Sequence, residues 1–482
     1  MIINYLRYKK SNGGLKFKMK IRTFNPEYTS KDHSIKMSPE MTAAILARYS
    51  RQGEGLNAIL NQLEKTPPEK FEESVWKFLD YGHASIGGLT GTIHAGIDQV
   101  SMLSPYLAFF LQPKQDGQET STRYVEFKPE GLASPSSFNI PEGFHQEWYN
   151  IMLKGFDINE KLVNKLNNLA MKNPEITNID PNLPPKVQER MRKNFGFDRA
   201  RYTIPMAGLT NFGLVMTSRE WAESIKYMES FDFAESKAIG IELRKQIAEI
   251  TPRLMKHSIP NDRTLSFAND FLDRGIEYII QNGINTENVK DSISVETYIP
   301  KRSRYINPSL LLSEEIAKNF EGKQTRYDYA KGLAEKVRIS VLWDNMSIAE
   351  ARDINRQRPC TKDTLLAPIG SYMPDISIEL MKEGNGKLFE EYSQFLNDRS
   401  KLMKKIVNSE TPRSYVGCLL LGDQTPFELH TSAAHFAYVT ELRTSMGVHF
   451  RYDQHMRDAH KEVINQIPEL APYIELGTGE PE

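Results

Sequence analysis

The chain has 482 residues, enough for two or three domains of about 150 residues each, which excludes a small disulfide-stapled scaffold. At 39% hydrophobic and 26% charged it has the composition of a folded globular protein rather than a disordered or fibrous one. Lys plus Arg (61) nearly balance Asp plus Glu (62), so no global field draws in a nucleic acid polymer or an anionic membrane, and any anion must be met by a local cluster.

Residues 1–18 are basic, contain Gly13 and Gly14, and lack the apolar stretch and cleavage site of a secretory signal, so they read as a flexible extension with Met19 as an alternative start. Lys20–Phe24 alternates as a short strand does. Ser38-Pro39-Glu40 is a helix start: Ser38 caps, Pro39 suits the first turn and Glu40 favours the positive dipole end, with Met41, Ile45 and Tyr49 on one face. A second helix is expected after Pro67-Pro68, with Phe71, Val75, Phe78 and Leu79 inward and an end near Gly82, where His83 would meet the last carbonyls. Thr90 to Phe110 reads as a buried strand and a helix limited by Pro105. Gln118 to Tyr124 follows a polar loop and precedes a β-like segment, Tyr124–Phe127. On extended chain Ser121 and Arg123 point the same way, with Glu119 on that face. Helical patterns follow at Ser218–Met228 and Phe233–Leu254, where Ile239, Leu243, Ile247 and Ile250 form a core stripe.

After His257-Ser258-Ile259-Pro260 the organisation begins again, with a strand near Val295–Ile299. Arg201-Tyr202-Thr203-Ile204-Pro205, a turn and the helix at Ser218 are echoed by Pro412-Arg413-Ser414-Tyr415-Val416, a turn, a helix from His435 to Arg443 and a last helix ending at Pro468. The pattern predicts a degenerate tandem repeat, with a first unit over 19–260 and a second over 261–482. The fold class expected is α/β of the α+β kind, helix-rich with small sheets. The most apolar run, Val416–Leu421, is the size of a core strand and far short of a membrane span. Two cysteines, Cys360 and Cys418, cannot make a disulfide framework and fit a reducing, cytoplasmic setting, with Cys360 read as a small buried hydrophobe.

The densest cationic cluster is Arg352-Asp353-Ile354-Asn355-Arg356-Gln357-Arg358. Arg352 and Arg356, four apart on a helix, project from one face and could clamp a phosphate; the plainer reading is a charged face paired to Asp353 and Glu350. His449, His455 and His460 are spaced by six and five, which does not stack them for metal ligation. No Gly-rich dinucleotide fingerprint or Walker loop is present, so redox chemistry would need a borrowed cofactor held in another way.

Taken in order, the short motifs resemble those of the flavin-dependent thymidylate synthases. The first half is similar at Pro39-Glu40, Gly82-His83-Ala84-Ser85, Glu119-Thr120-Ser121-Thr122-Arg123-Tyr124, Ala200-Arg201 to Pro205, and Ser218-Arg219. It departs where the family has Arg-His-Arg, since Tyr106 to Pro113 holds no arginine. Thr217 also replaces the motif Asn, and Met228 the arginine of a terminal Leu-Arg. The second half has the opposite losses: Ile348 to Arg358 resembles the approach to Arg-His-Arg with Gln357 in place of His, Leu442-Arg443 restores the lost arginine, and Ser-x-Arg-Tyr is absent. In the family the site lies between subunits of a homotetramer, so two fused units need only one half of each to keep one composite site.

The resemblance implies that Glu119, Ser121, Arg123, Arg201, Arg356 and Arg443 hold deoxyuridine monophosphate, with Arg443 as the catalytic electrophile against a uracil carbonyl. It implies that His83, Ser85, Arg219, Gln357 and Arg358 bind FAD, and that no metal is used. The activity implied is reductive methylation of deoxyuridine monophosphate with NADPH and methylenetetrahydrofolate as co-substrates, in a homodimer of two-unit chains. Two other readings stand beside it: flavin- and folate-dependent modification of another pyrimidine nucleotide, and a nucleotide-binding pseudoenzyme.

Overall fold

A computed structural model describes residues 19–24, 28–29, 36–47, 65, 70, 88–177, 179, 182–300, 312–445 and 448–477. Lys20–Phe24 forms a strand, β1, as its alternation predicts, and Tyr28–Thr29 (β2) pairs with Lys36–Met37 (β3). Helix α1 spans Pro39–Ala47, with Ser38 Oγ accepting from Met41 N at 3.0 Å as the cap expected of it. Tyr49 and the helix expected after Pro67-Pro68 lie outside the described residues.

The first sheet is built from β1, β4 (Thr92–Ser101), β5 (Asp116–Glu119) and β6 (Leu209–Thr217), in the order β1-β4-β6-β5. Helix α2 (Leu103–Leu111) follows β4. Pro105 sits in its first turn, where the missing N–H costs nothing, and does not limit the helix. Helices α3 (His145–Lys172) and α4 (Pro185–Ala200) lead to the 3-10 turn Arg201–Thr203, and α5 (Ser218–Ser230) and α6 (Ala234–Ile250) close this part. The helix expected to run to Leu254 stops at Ile250 because Pro252 cannot donate to the turn before it. Ile239, Leu243 and Ile247 are buried as a stripe, together with Trp221 and Ile225.

Helix α7 (Asp262–Asn282) leads into the second sheet, whose strands are β7 (Ile293–Tyr298), β8 (Arg338–Ser347), β9 (Thr361–Thr364) and β11 (Asp423–Ser432), with the two-residue β10 (Gly370–Ser371) on the path β10-β11-β8-β7 and β9 also on β11. Helix α8 (Ile348–Asn355) follows β8, α9 (Lys387–Val407) precedes a 3-10 turn at Pro412–Cys418, and α10 (Ala433–Arg443) and α11 (Phe450–Gln466) follow β11. The last helix ends at Gln466, short of Pro468, which opens a 3-10 turn.

Both sheets run antiparallel in one wiring, and their central pairs share a register. Thr92 pairs with Thr217 as Arg338 pairs with Ser432, and each ladder slips by one residue at the same relative place. Matching these pairs sets Tyr106 on Arg352, Phe110 on Arg356, Met228 on Arg443 and Arg201 on Val416. The echo read at Pro412–Val416 is therefore displaced: Val416–Leu420 is the stretch that answers Arg201–Pro205. These two stretches cross each other, with Pro205 bridged to Leu420, Met206 N donating to Leu419 O at 2.8 Å and Leu421 N to Ile204 O at 2.9 Å. One buried cluster runs through the crossing from Trp148 and Phe156 to Trp343 and Tyr415, and Trp148 Nε1 donates to Gly417 O at 2.9 Å. No described helix is long and apolar enough to cross a membrane.

Candidate functional site

Helix α8 and strand β5, far apart in the sequence, meet beside this crossing. Arg352 and Arg356 do project from one face of α8: Arg352 contacts the Glu119 carboxylate and Met102 Sδ (3.2 Å), and Arg356 Nη1 lies 3.5 Å from Gln118 Oε1. Arg356 also pairs with Asp353, as the plainer reading had it, whereas Glu350 turns to other partners. Burial raises the Glu119 carboxyl, against the opposing charges of Arg352 and Arg356. Burial pushes Arg356 down to about 10, with Arg443 and Arg352 adding to the effect against Glu119.

Ser121 and Arg123 are not on extended chain. Strand β5 ends at Glu119 and the chain turns, with Val125 N donating to Ser121 O at 3.1 Å and Arg123 N to Ser121 Oγ at 3.2 Å. No strand forms at Tyr124–Phe127, where Tyr124 and Val125 are exposed. The turn folds Arg123 back onto Asp198 of α4. Its Nε donates to the carboxylate at 2.9 and 3.1 Å and its Nη2 at 3.0 Å, a bidentate pair whose carboxylate is fully buried.

Arg201 stands one step further along the same segment and is 1% exposed. Its Nη1 donates to Thr122 Oγ1 at 3.3 Å and its Nη2 is 3.9 Å from Glu350 Oε1, while Nε and Nη2 have no hydrogen-bond partner among the described residues. Glu350, on α8, is held by Tyr202 Oη at 2.8 Å and Ser347 Oγ at 2.6 Å, with His455 at 3.8 Å. Burial alone would raise its carboxyl, but His455, Arg451 and Arg201 outweigh that and hold it at about 2.

Arg443, the last residue of α10, reaches the same place from the other side. Its Nη2 donates to Asp353 O at 3.1 Å, and no ion pair joins it among the described residues. With the amide of Gln357 turned, Oε1 accepts from Arg443 Nε at 3.1 Å. Arg201 and Arg443 lie 5.9 and 6.0 Å from the centre of the Tyr452 ring, so the two guanidinium groups approach one aromatic. His449 is buried beside Arg201 and Arg123, and burial together with those charges holds its ring well below the usual histidine range.

The fold thus brings Glu119, Arg123 and Arg201 of the amino-terminal half together with Arg352, Arg356, Gln357 and Arg443 of the carboxy-terminal half. Arg358 lies at the edge of this group, touching Asp116 and the Gln115 carbonyl. Arg219 is further off: it donates to Glu220 Oε1 at 3.1 Å, remains 42% exposed and packs over Gly88, and no contact among the described residues links it to the cluster. His83 and Ser85 lie outside the described residues. Sequence reasoning missed Asp198, Tyr202 and Tyr452. A signal existed for the first, since an arginine brought into a core needs a carboxylate, and Asp198-Arg199-Ala200-Arg201 offers one.

Cys360 is buried and its Sγ donates to Gln357 O at 3.0 Å, which fits the hydrophobe expected of it. Among the described residues no group of three His, Cys, Asp or Glu could hold a metal ion.

No protein-family model matches the chain. A UPF0159 protein of Chlamydia pneumoniae is similar to it, 24% identical over 260 residues that cover 49% of this chain and 48% of that protein. The chain therefore spans about half the length of the curated relative it matches.

Proposed function

We propose that the chain binds deoxyuridine monophosphate in the arginine cluster and catalyses its flavin-dependent reductive methylation. The observation that carries this reading is Arg201: a guanidinium 1% exposed, whose Nε and Nη2 make no hydrogen bond among the described residues although Glu350 lies 3.9 Å from Nη2, in a cluster that two distant segments assemble. A buried charged donor without an acceptor costs about 1–3 kcal/mol or more, which an anionic ligand repays. Arg123, Arg201 and Arg356 clamp the phosphate, with Ser121 as a further donor and Glu119 holding Arg352 in place. Arg443, which makes no ion pair among the described residues, stabilises negative charge developing on the pyrimidine ring.

FAD binding is carried by the resemblance: Arg219 and Arg358 are 42% and 37% exposed, each already paired to a carboxylate, Glu220 and Asp116, and no contact among the described residues brings the two together. When bound, FAD supplies the hydride chemistry that no side chain can. Gln357, engaged by Arg443, serves to orient that arginine more than to contact the cofactor.

The like wiring and register of the two sheets support two homologous units, over 19–260 and 261–482. The complementary loss of arginines supports one composite site per chain, and pairing of two chains as a homodimer would reproduce a four-unit assembly. The experiment is the flavin absorption spectrum of the full chain with FAD, before and after deoxyuridine monophosphate, followed by tritium release from nucleotide labelled at C5 with NADPH and methylenetetrahydrofolate. A perturbed spectrum and release that Arg443→Ala abolishes without unfolding are expected. An unchanged spectrum and no release overturn the reading.

A further inference from the structure

The register that sets Arg352, Arg356 and Arg443 in the cluster also marks its counterpart on the other side of the crossing. There Tyr106, Phe110 and Met228 hold the three positions and Val416 answers Arg201. Tyr106 lies beside Thr364, the residue that answers Glu119, so an ion pair on one side is a neutral contact on the other. With four guanidinium groups exchanged for uncharged side chains, nothing there compensates the desolvation of a phosphate dianion.

Of these positions Phe110 lines a concavity. A cavity of about 660 Å³ lies between the end of α2 and β9, within the size range of small-molecule sites. Phe110, Tyr227, Phe267 and Phe271 line one wall, Lys362 and His430 the other. Two of the rings come from α7, the helix that joins the two sheets. Phe271 meets Phe110 at 5.1 Å and stacks on Phe267 at 6.2 Å, and Tyr227 stands edge-on to Phe267 at 5.2 Å. Phe267 stays 38% exposed, an aromatic face left open where the rest of the cluster is covered.

Two cations, Arg274 and Lys362, and two carboxylates, Asp270 and Asp363, line the cavity; Arg274 pairs with Asp363 at 3.0 Å and Asp270 accepts from Ser266 Oγ at 3.3 Å, so Lys362 is the lining cation left for a ligand anion. The Lys362 ammonium donates to Phe109 O at 3.3 Å and to Asn355 O, which leaves one of its three donors, and it has no ion-pair partner among the described residues.

We propose that this cavity is a second ligand site, which takes a planar aromatic molecule carrying one anionic group, its ring against the open face of Phe267 and its anion on Lys362. The site abuts the end of the arginine cluster, where Cys360 of its lining donates to Gln357 O, but does not depend on the function proposed for that cluster. The test is fluorescence titration of the full chain with 1-anilinonaphthalene-8-sulfonate, an aromatic monoanion. Saturable binding of one probe per chain is expected, weakened about tenfold or more by Lys362→Met and by Phe267→Ala, whose side chain at the rim can be cut without opening the core. Equal affinity in both cavity variants, or loss of probe binding in Arg443→Ala, overturns the proposal.

Discussion

Tyr202 donates its hydroxyl to Glu350 at 2.8 Å, and the two come from opposite halves of the chain with neither exposed to solvent. The carboxylate so held faces Arg201 at 3.9 Å, so the amino-terminal half fixes, through Tyr202, the carboxylate that the other half supplies to its arginine. Tyr202→Phe removes a hydrogen bond to a buried charge and should cost about 1.5–3 kcal/mol, read as a lowered urea midpoint at pH 7.

Glu350 also predicts an acid limit. Its folded carboxyl titrates at about 2, below the 4.5 of an ordinary glutamate, so its contribution is complete above pH 4.5 and is lost as pH falls through 2. Glu350→Gln should lower stability at pH 7 and flatten the loss between pH 4.5 and 2, measured by chemical denaturation across that range.

His435 acts in a higher window. Burial, with Lys362 and Arg358 adding to it, holds its ring at about 4 against 6.5, so the unfolded chain binds more protons between those values. Stability should fall by up to about 3 kcal/mol as pH drops from 6.5 to 4. His435→Phe should remove that slope, and a slope unchanged in the variant would assign it to another group.

Arg201→Lys keeps the charge but not the fork. Nucleotide affinity should drop about tenfold or more while the thermal midpoint moves little, by calorimetric titration with deoxyuridine monophosphate. Equal affinity would remove Arg201 from the binding surface.

Gly275 of α7 packs with its Cα against Tyr415, and a Cβ there would collide with the phenol oxygen and come within 2.9 Å of Leu366 O. Gly275→Ala should destabilise by about 1–3 kcal/mol, and Tyr415→Phe in the same chain should recover part of that.

Much of this was readable from local pattern. The cap at Ser38, the strand at Lys20–Phe24 and the face shared by Arg352 and Arg356 follow from side-chain periodicity and the demands of a helix end, which are local properties. Where a residue depended on what crosses it, pattern failed. Arg123 turns onto Asp198 because β5 ends two residues before Ser121, and nothing in the stretch up to Tyr124 marks that end. The Tyr202–Glu350 bond and the ring of Tyr452 between two arginines exist only through the crossing at Pro205 and Leu420. The misplaced echo at Pro412 has the same origin, since the register of two ladders, and not resemblance of side chains, defines which positions correspond.

That crossing bears on how such a chain can evolve. In an assembly of identical subunits each substitution is copied into every site, so an arginine lost once is lost everywhere. On the two-unit reading proposed above, the halves that meet at Pro205 and Leu420 belong to one chain, and each position of a matched pair is free to change on its own. On that reading Tyr106 and Arg352, which hold the same place in the two registers, need not share a charge, and a single chain carries one of each.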